Sequence, residues 1–141
     1  MAKKTASVRW VSGRAFETQT GSGHRGWIDA FPKEGETSKG PTPTELVLVA
    51  VAGCTGIDIV DILQKKRLNV TGLDVAVEGT QAANPPNVYT ELDVVYRVRG
   101  KDIPASAVEQ AIKLSEEKYC SVGIMIGKTA KINSRYEIVA E

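Results

Sequence analysis

The chain has 141 residues, with 18 basic and 17 acidic side chains, one histidine and two cysteines. A charge so near balance leaves no electrostatic footprint for nucleic acid. With 42% hydrophobic and 25% charged residues, the composition is that of a globular protein, and the length suits one domain, residues 1–141, that buries a core without disulfide staples. Lys3 and Lys4 are followed by "TASVRWVSGR", which lacks the apolar centre of a signal peptide. The expected compartment is therefore the cytoplasm, where paired cysteines point to redox or metal chemistry more than to a structural bridge.

In chain order, "ASVRWV" and "RAFETQT" read as two strands joined at "SG", and "GSGHRG" turns the chain into "WIDAF". "PKEGETSKGPTPT" is a polar loop of glycine and proline. Thr42, Pro43, Thr44 and Glu45 open a helix: a hydroxyl near the cap, proline in the first turn and an early acid all suit a helix start. The apolar run over 46–57 is followed by Asp58 and Asp61. It is shorter than the ~20 residues of a membrane span, so no membrane partner is expected and the run reads as a helix buried on all sides. A break is expected near Gly53 to Gly56, after which Ile57, Val60 and Leu63 recur at helical spacing up to the basic "QKKR".

Leu73, Val75 and Val77 alternate with polar residues, as do Leu92, Val94, Tyr96 and Val98, which predicts a hairpin of two half-buried strands. Pro104 starts a helix with Val108, Ala111, Ile112 and Ser115 on one stripe, running towards Tyr119. A last alternation through Ala130, Ile132, Ser134, Tyr136 and Ile138 predicts a final strand. The order βββ-αα-ββ-α-β indicates an α+β fold with antiparallel sheet.

The chemistry-bearing residues are few. If a helix restarts at Gly53, Cys54 sits near its N-terminus, where free N–H groups and the dipole favour a thiolate, the nucleophilic form. Cys120 follows a helix and could resolve it; equally, each cysteine could be a small buried hydrophobe. Two cysteines and His24 at no familiar spacing argue against a zinc site, and no G-x-S-x-G elbow marks a serine hydrolase. His24 and Arg25 read as residues of a solvated turn.

The segment "GPTPTELVLVAVAGCTGIDIVDIL", residues 40–63, with "SGHRGWIDAF" before it and "GLDVAVEG" and "VEQAIKLSEEKYCSV" after it, resembles the OsmC-like family of osmotically inducible and organic hydroperoxide resistance proteins. The likeness runs in order along nearly the whole chain. It implies an α+β fold, an intertwined homodimer with two sites at the interface, and thiol peroxidase chemistry without a cofactor. By that resemblance Cys54 is peroxidatic, Cys120 resolves it, Arg14 steadies the thiolate and Glu45 orients Arg14, with Arg25 as the other candidate arginine. The substrate would be an organic hydroperoxide and the reductant an external dithiol. The alternative is a non-enzymatic redox or small-molecule binding protein on the same dimer. Hydroperoxide-reducing members carry an acid directly after the proline; here Thr44 stands there and the acid is Glu45, one step and about 100° further round the helix. The chain thus looks like a less characterised branch of the family.

Overall fold

A computed structural model describes all residues, 1–141. The chain forms two compact units, Met1–Val47 and Leu48–Glu141, and each is described by itself.

In the first unit, β1 (Ala6–Ser12), β2 (Ala15–Thr20) and β3 (Arg25–Ile28) form an antiparallel meander in that order. The β1–β2 turn is made by Gly13 and Arg14. Gly13 takes φ +53°, a left-handed conformation that glycine adopts without strain, and its carbonyl accepts the Trp10 indole N–H at 2.9 Å. Beyond β3, Asp29 pins the glycine- and proline-rich loop, accepting the Ala30 and Lys39 backbone N–H groups at 2.7 and 3.1 Å. These two donors hold its carboxyl below the usual range. Gly40 lies so close to the Trp27 backbone that a β-carbon there would come within 2.7 Å of it.

Helix α1 spans Pro43–Lys65 without interruption, so the break expected near Gly53 to Gly56 does not occur. Interior glycine weakens a helix by only about 1 kcal/mol, and the long apolar flanks carry the helix through. The buried stripe is also narrower than expected, comprising Val51, Thr55, Ile59 and Leu63 at strict four-residue spacing, whereas Ile57 and Val49 are 66% and 61% exposed. In the single chain α1 is therefore not buried on all sides. The helix extends beyond the apolar run of 46–57 at both ends, so by length and composition alone it would suffice to cross a membrane, a test that the core helix of a domain also passes.

The second unit continues with the hairpin of β4 (Asn69–Gln81) and β5 (Tyr89–Lys101), then α2 (Ala105–Leu114), a π-helical turn (Ser115–Tyr119), α3 (Ser121–Ile126) and β6 (Lys131–Ala140). The sheet order is β4-β5-β6. The β4–β5 pair is antiparallel as expected, but β6 pairs parallel to β5, Tyr96 opposite Tyr136. A strand that returns through a helical crossover rather than a tight turn arrives in the same direction as the one it left. Leu92, Val94, Tyr96 and Val98 of β5 are buried as the alternation predicts. Ile59 and Leu63 of α1 and Val108, Ala111 and Ile112 of α2 join Val94, Tyr96 and Val98 in one core. Both helices thus cover one face of the sheet. The chain is α+β.

Candidate functional site

Cys54 lies deep inside α1, roughly three turns from its start. The helix dipole acts within the terminal turn, so the expected N-terminal activation of Cys54 is not present. Cys120 holds that kind of position instead: it is the N-cap of α3, and its Sγ accepts the Gly123 N–H at 3.2 Å.

The two thiols lie near one another, close enough for Cys54 to act on the Cys120 thiol, with Cys54 half-buried on α1 and Cys120 only 1% exposed. Burial, and then Cys54, push the Cys120 thiol up to about 12 despite the opposing Gly123 N–H. Cys120 therefore keeps its proton at neutral pH. The π-helical turn places it: the Cys120 N–H reaches the Ser115 carbonyl at 2.7 Å, and this widened turn leaves both Ser115 and Cys120 buried. Short π segments inside helical stretches recur at functional sites.

A chain of side-chain hydrogen bonds lies beside the thiols. Ser115 Oγ donates to Asp58 Oδ2 at 2.9 Å, and Thr55 Oγ1 lies 2.8 Å from Ser115 Oγ and 3.0 Å from Tyr96 Oη. Tyr96 donates to Glu116 Oε2 at 2.8 Å, while Ser134 donates to Glu116 Oε1 at 3.0 Å. Burial raises the Tyr96 pKa above its ordinary value. Cys120, Thr55, Tyr96 and Glu116 share the wall of an open cavity of about 390 Å³, closed further round by Lys128 and Lys131. That volume is in the range of small-molecule sites.

Arg14 and Glu45 are not paired with each other. Arg14 Nη2 donates to the Phe31 carbonyl at 3.2 Å and lies 3.8 Å from Glu36. Glu45 forms a capping box: its Oε1 accepts the Thr42 N–H at 2.9 Å, and Thr42 Oγ1 accepts the Glu45 N–H at 3.2 Å. Those bonds lower its pKa. Arg25 opens β3 opposite Gln19. No three His, Cys, Asp or Glu side chains converge as a metal site.

Sequence reading missed Thr55, Asp58, Tyr96, Ser115 and Glu116 as a group. One signal was available: Ser115 continues the stripe of Val108, Ala111 and Ile112, and a buried hydroxyl there needs a partner. Nothing in the sequence says which one.

The chain belongs to the OsmC-like protein family, whose pattern matches residues 35–135. It is 38% identical over 135 residues to protein YhfA of Escherichia coli (strain K12), spanning 96% of this chain and 98% of that one. A hypothetical protein from Aquifex aeolicus VF5 has the same fold at 30% identity and a TM-score of 0.89, with 100% of this chain and 99% of that one covered. An organic hydroperoxide resistance protein of Legionella pneumophila superposes at 17% identity and a TM-score of 0.68, covering 97% and 98%. At that identity the last comparison bears on the fold alone.

Proposed function

We propose that the protein is a cysteine-based peroxidase that reduces organic hydroperoxides. The observation that carries this reading is the thiol pair itself: a half-buried Cys54 near a fully buried Cys120 whose pKa is raised by burial and by Cys54. Cys54, as thiolate, attacks the distal oxygen of the hydroperoxide. The O–O bond breaks, the alkoxide leaves and takes up a proton as the alcohol, and Cys54 becomes a sulfenic acid. Cys120 then displaces hydroxide from that sulfur, forming the Cys54–Cys120 disulfide and water, and an external dithiol restores both thiols by exchange. Family membership supports the same chemistry. Arg14 is the candidate cation for the reacting thiolate, with Glu36 as the carboxylate beside it. A cytoplasmic setting would supply the dithiol.

We further infer a homodimer. The exposed side of α1 is apolar over two turns, through Val49, Gly53 and Ile57, and a groove lined by Ala52, Gly56, Val60, Leu73 and Val75 adjoins it. An apolar helix face of this size belongs in an interior, and a second copy of the chain is the occupant the family resemblance implies.

The test is turnover. Cumene hydroperoxide with a small dithiol should be consumed catalytically, and oxidised protein should carry the Cys54–Cys120 disulfide by mass spectrometry. A pair that stays reduced after stoichiometric hydroperoxide rules the reading out, and binding without consumption would leave the small-molecule carrier.

A further inference from the structure

The side-chain chain beside the cysteines runs from one carboxylate to another through three hydroxyls: Asp58, Ser115, Thr55, Tyr96, Glu116. It contains four oxygen–oxygen contacts of 2.8 to 3.0 Å. Each contact needs one proton to be a hydrogen bond, and three hydroxyls supply only three. An ionised carboxylate can only accept, so the Ser115 proton goes to Asp58 and the Tyr96 proton to Glu116. Thr55 has a single proton for its two neighbours, and one of its contacts is left without any. The chain is built to hold one proton more than its hydroxyls bring.

Cys120 adjoins this chain. Its backbone N–H is bonded to the Ser115 carbonyl at 2.7 Å, and it shares a cavity wall with Thr55, Tyr96 and Glu116. The Asp58 carboxylate raises the pKa of the thiol, and the thiol that of Tyr96, each as a minor contribution beside burial. Asp58 also stands one helical turn beyond Cys54, on the same face of α1. Under the proposed reaction Cys120 must give up a proton that its surroundings otherwise hold firmly, at the moment it attacks the Cys54 sulfenic acid.

We propose that the Asp58–Ser115–Thr55–Tyr96–Glu116 chain accepts the Cys120 thiol proton during disulfide formation and returns one to the departing hydroxide. This rests on the peroxidase reading above. In the step, the Cys120 sulfur bonds to the Cys54 sulfur as the Cys54 S–O bond breaks. The thiol proton enters the chain, completing its fourth hydrogen bond, and a proton from the chain converts the leaving hydroxide to water. The chain ends as it began, with no oxidant or reductant consumed. Its members act as base and acid in the resolving step and take no part in the attack of Cys54 on the hydroperoxide.

Asp58→Asn makes the inference separable from a structural role. An amide at 58 donates to Ser115, which frees Ser115 to donate to Thr55, Thr55 to Tyr96 and Tyr96 to Glu116. All four contacts are then filled, and the chain has no room for a proton. The variant should fold at least as stably as wild type. Rapid-quench mass spectrometry after one equivalent of cumene hydroperoxide should show Cys54 sulfenic acid forming at the wild-type rate. Disulfide formation should slow by about 10²-fold, the lower end of what acid–base assistance contributes, with sulfenic acid accumulating. Tyr96→Phe, which cuts the chain, should show the same split, and wild-type resolution should be slower in deuterated water. Wild-type resolution rates in Asp58→Asn, or an equal fall in both steps, overturn the relay while leaving the peroxidase intact. Absence of any Cys54 sulfenic acid in the wild type removes the peroxidase reading, and the relay with it.

Discussion

Cys120 Sγ accepts the Gly123 N–H at 3.2 Å, so this buried thiol caps the helix that follows it. The cap favours negative charge on sulfur, but burial and the neighbouring thiol oppose it more strongly, leaving the pKa at about 12. An unfolded cysteine titrates near 8.5. The folded protein thus binds this proton more tightly than the unfolded chain. Its stabilising contribution is complete below about pH 8.5 and is lost as the pH rises towards about 12. Urea midpoints should fall over that interval. Buried Tyr96 works in the same sense at its own higher values, so the difference between wild type and Cys120→Ala isolates the thiol: the alkaline slope should be shallower in the variant.

The capping box gives an acid-side counterpart. Backbone and hydroxyl bonds from Thr42 lower the Glu45 pKa, so its contribution is present above the unfolded carboxyl value of about 4.3 and is lost as the pH falls through the folded one. Glu45→Gln should flatten the acid limb of the stability curve. Thr42→Ala should lower stability by about 1 kcal/mol at neutral pH, measured by denaturant unfolding.

Arg14 is tied to Glu36 and the Phe31 carbonyl, whereas Glu45 is engaged with Thr42. If Arg14 steadies the charge that develops at Cys54, Arg14→Ala should slow sulfenic acid formation by about 10²-fold, the order of losing one transition-state donor. Glu36→Gln should have a smaller effect in the same direction. Glu45→Gln should change stability more than rate. Pre-steady-state oxidation with alkyl hydroperoxide separates the three.

Ile59 is fully buried at the junction of α1, β5 and α2. Ile59→Ala should destabilise by about 2–5 kcal/mol. Ile57, two residues earlier and 66% exposed in the single chain, should behave differently. If the exposed face of α1 is a dimer interface, Ile57→Asp should give a dissociated or poorly folded chain by sedimentation at low micromolar concentration. On a monomer the same change would be nearly neutral. Gly53 provides a gentler probe, because an added β-carbon meets nothing within 4 Å in the single chain. Gly53→Ala should stabilise a monomer through helix propensity, by about 1 kcal/mol, and should weaken a close-packed dimer.

Periodicity alone determined much of the second unit. Leu92, Val94, Tyr96 and Val98 alternate because a strand turns successive side chains to opposite faces, and all four are buried. Val108, Ala111, Ile112 and Ser115 share a stripe for the corresponding helical reason, and they too are buried. Thr42, Pro43 and Glu45 placed the start of α1, since a hydroxyl near the cap, a first-turn proline and an early acid act locally. What local pattern could not decide was whether Gly53 and Gly56 interrupt that helix, because interior glycine weakens a helix by an amount its neighbours can offset. The direction of β6 was equally out of reach, as it depends on how a crossover packs and not on alternation. The site depended most on tertiary structure. Cys54 and Cys120 come from different elements, and only the packing of α1 against the π-helical turn brings the thiols near one another. The same packing strings Asp58, Ser115, Thr55, Tyr96 and Glu116 into one hydrogen-bonded chain. Each of these residues has an ordinary local role in its own element, and their hydrogen-bonded chain exists only once three elements share a core.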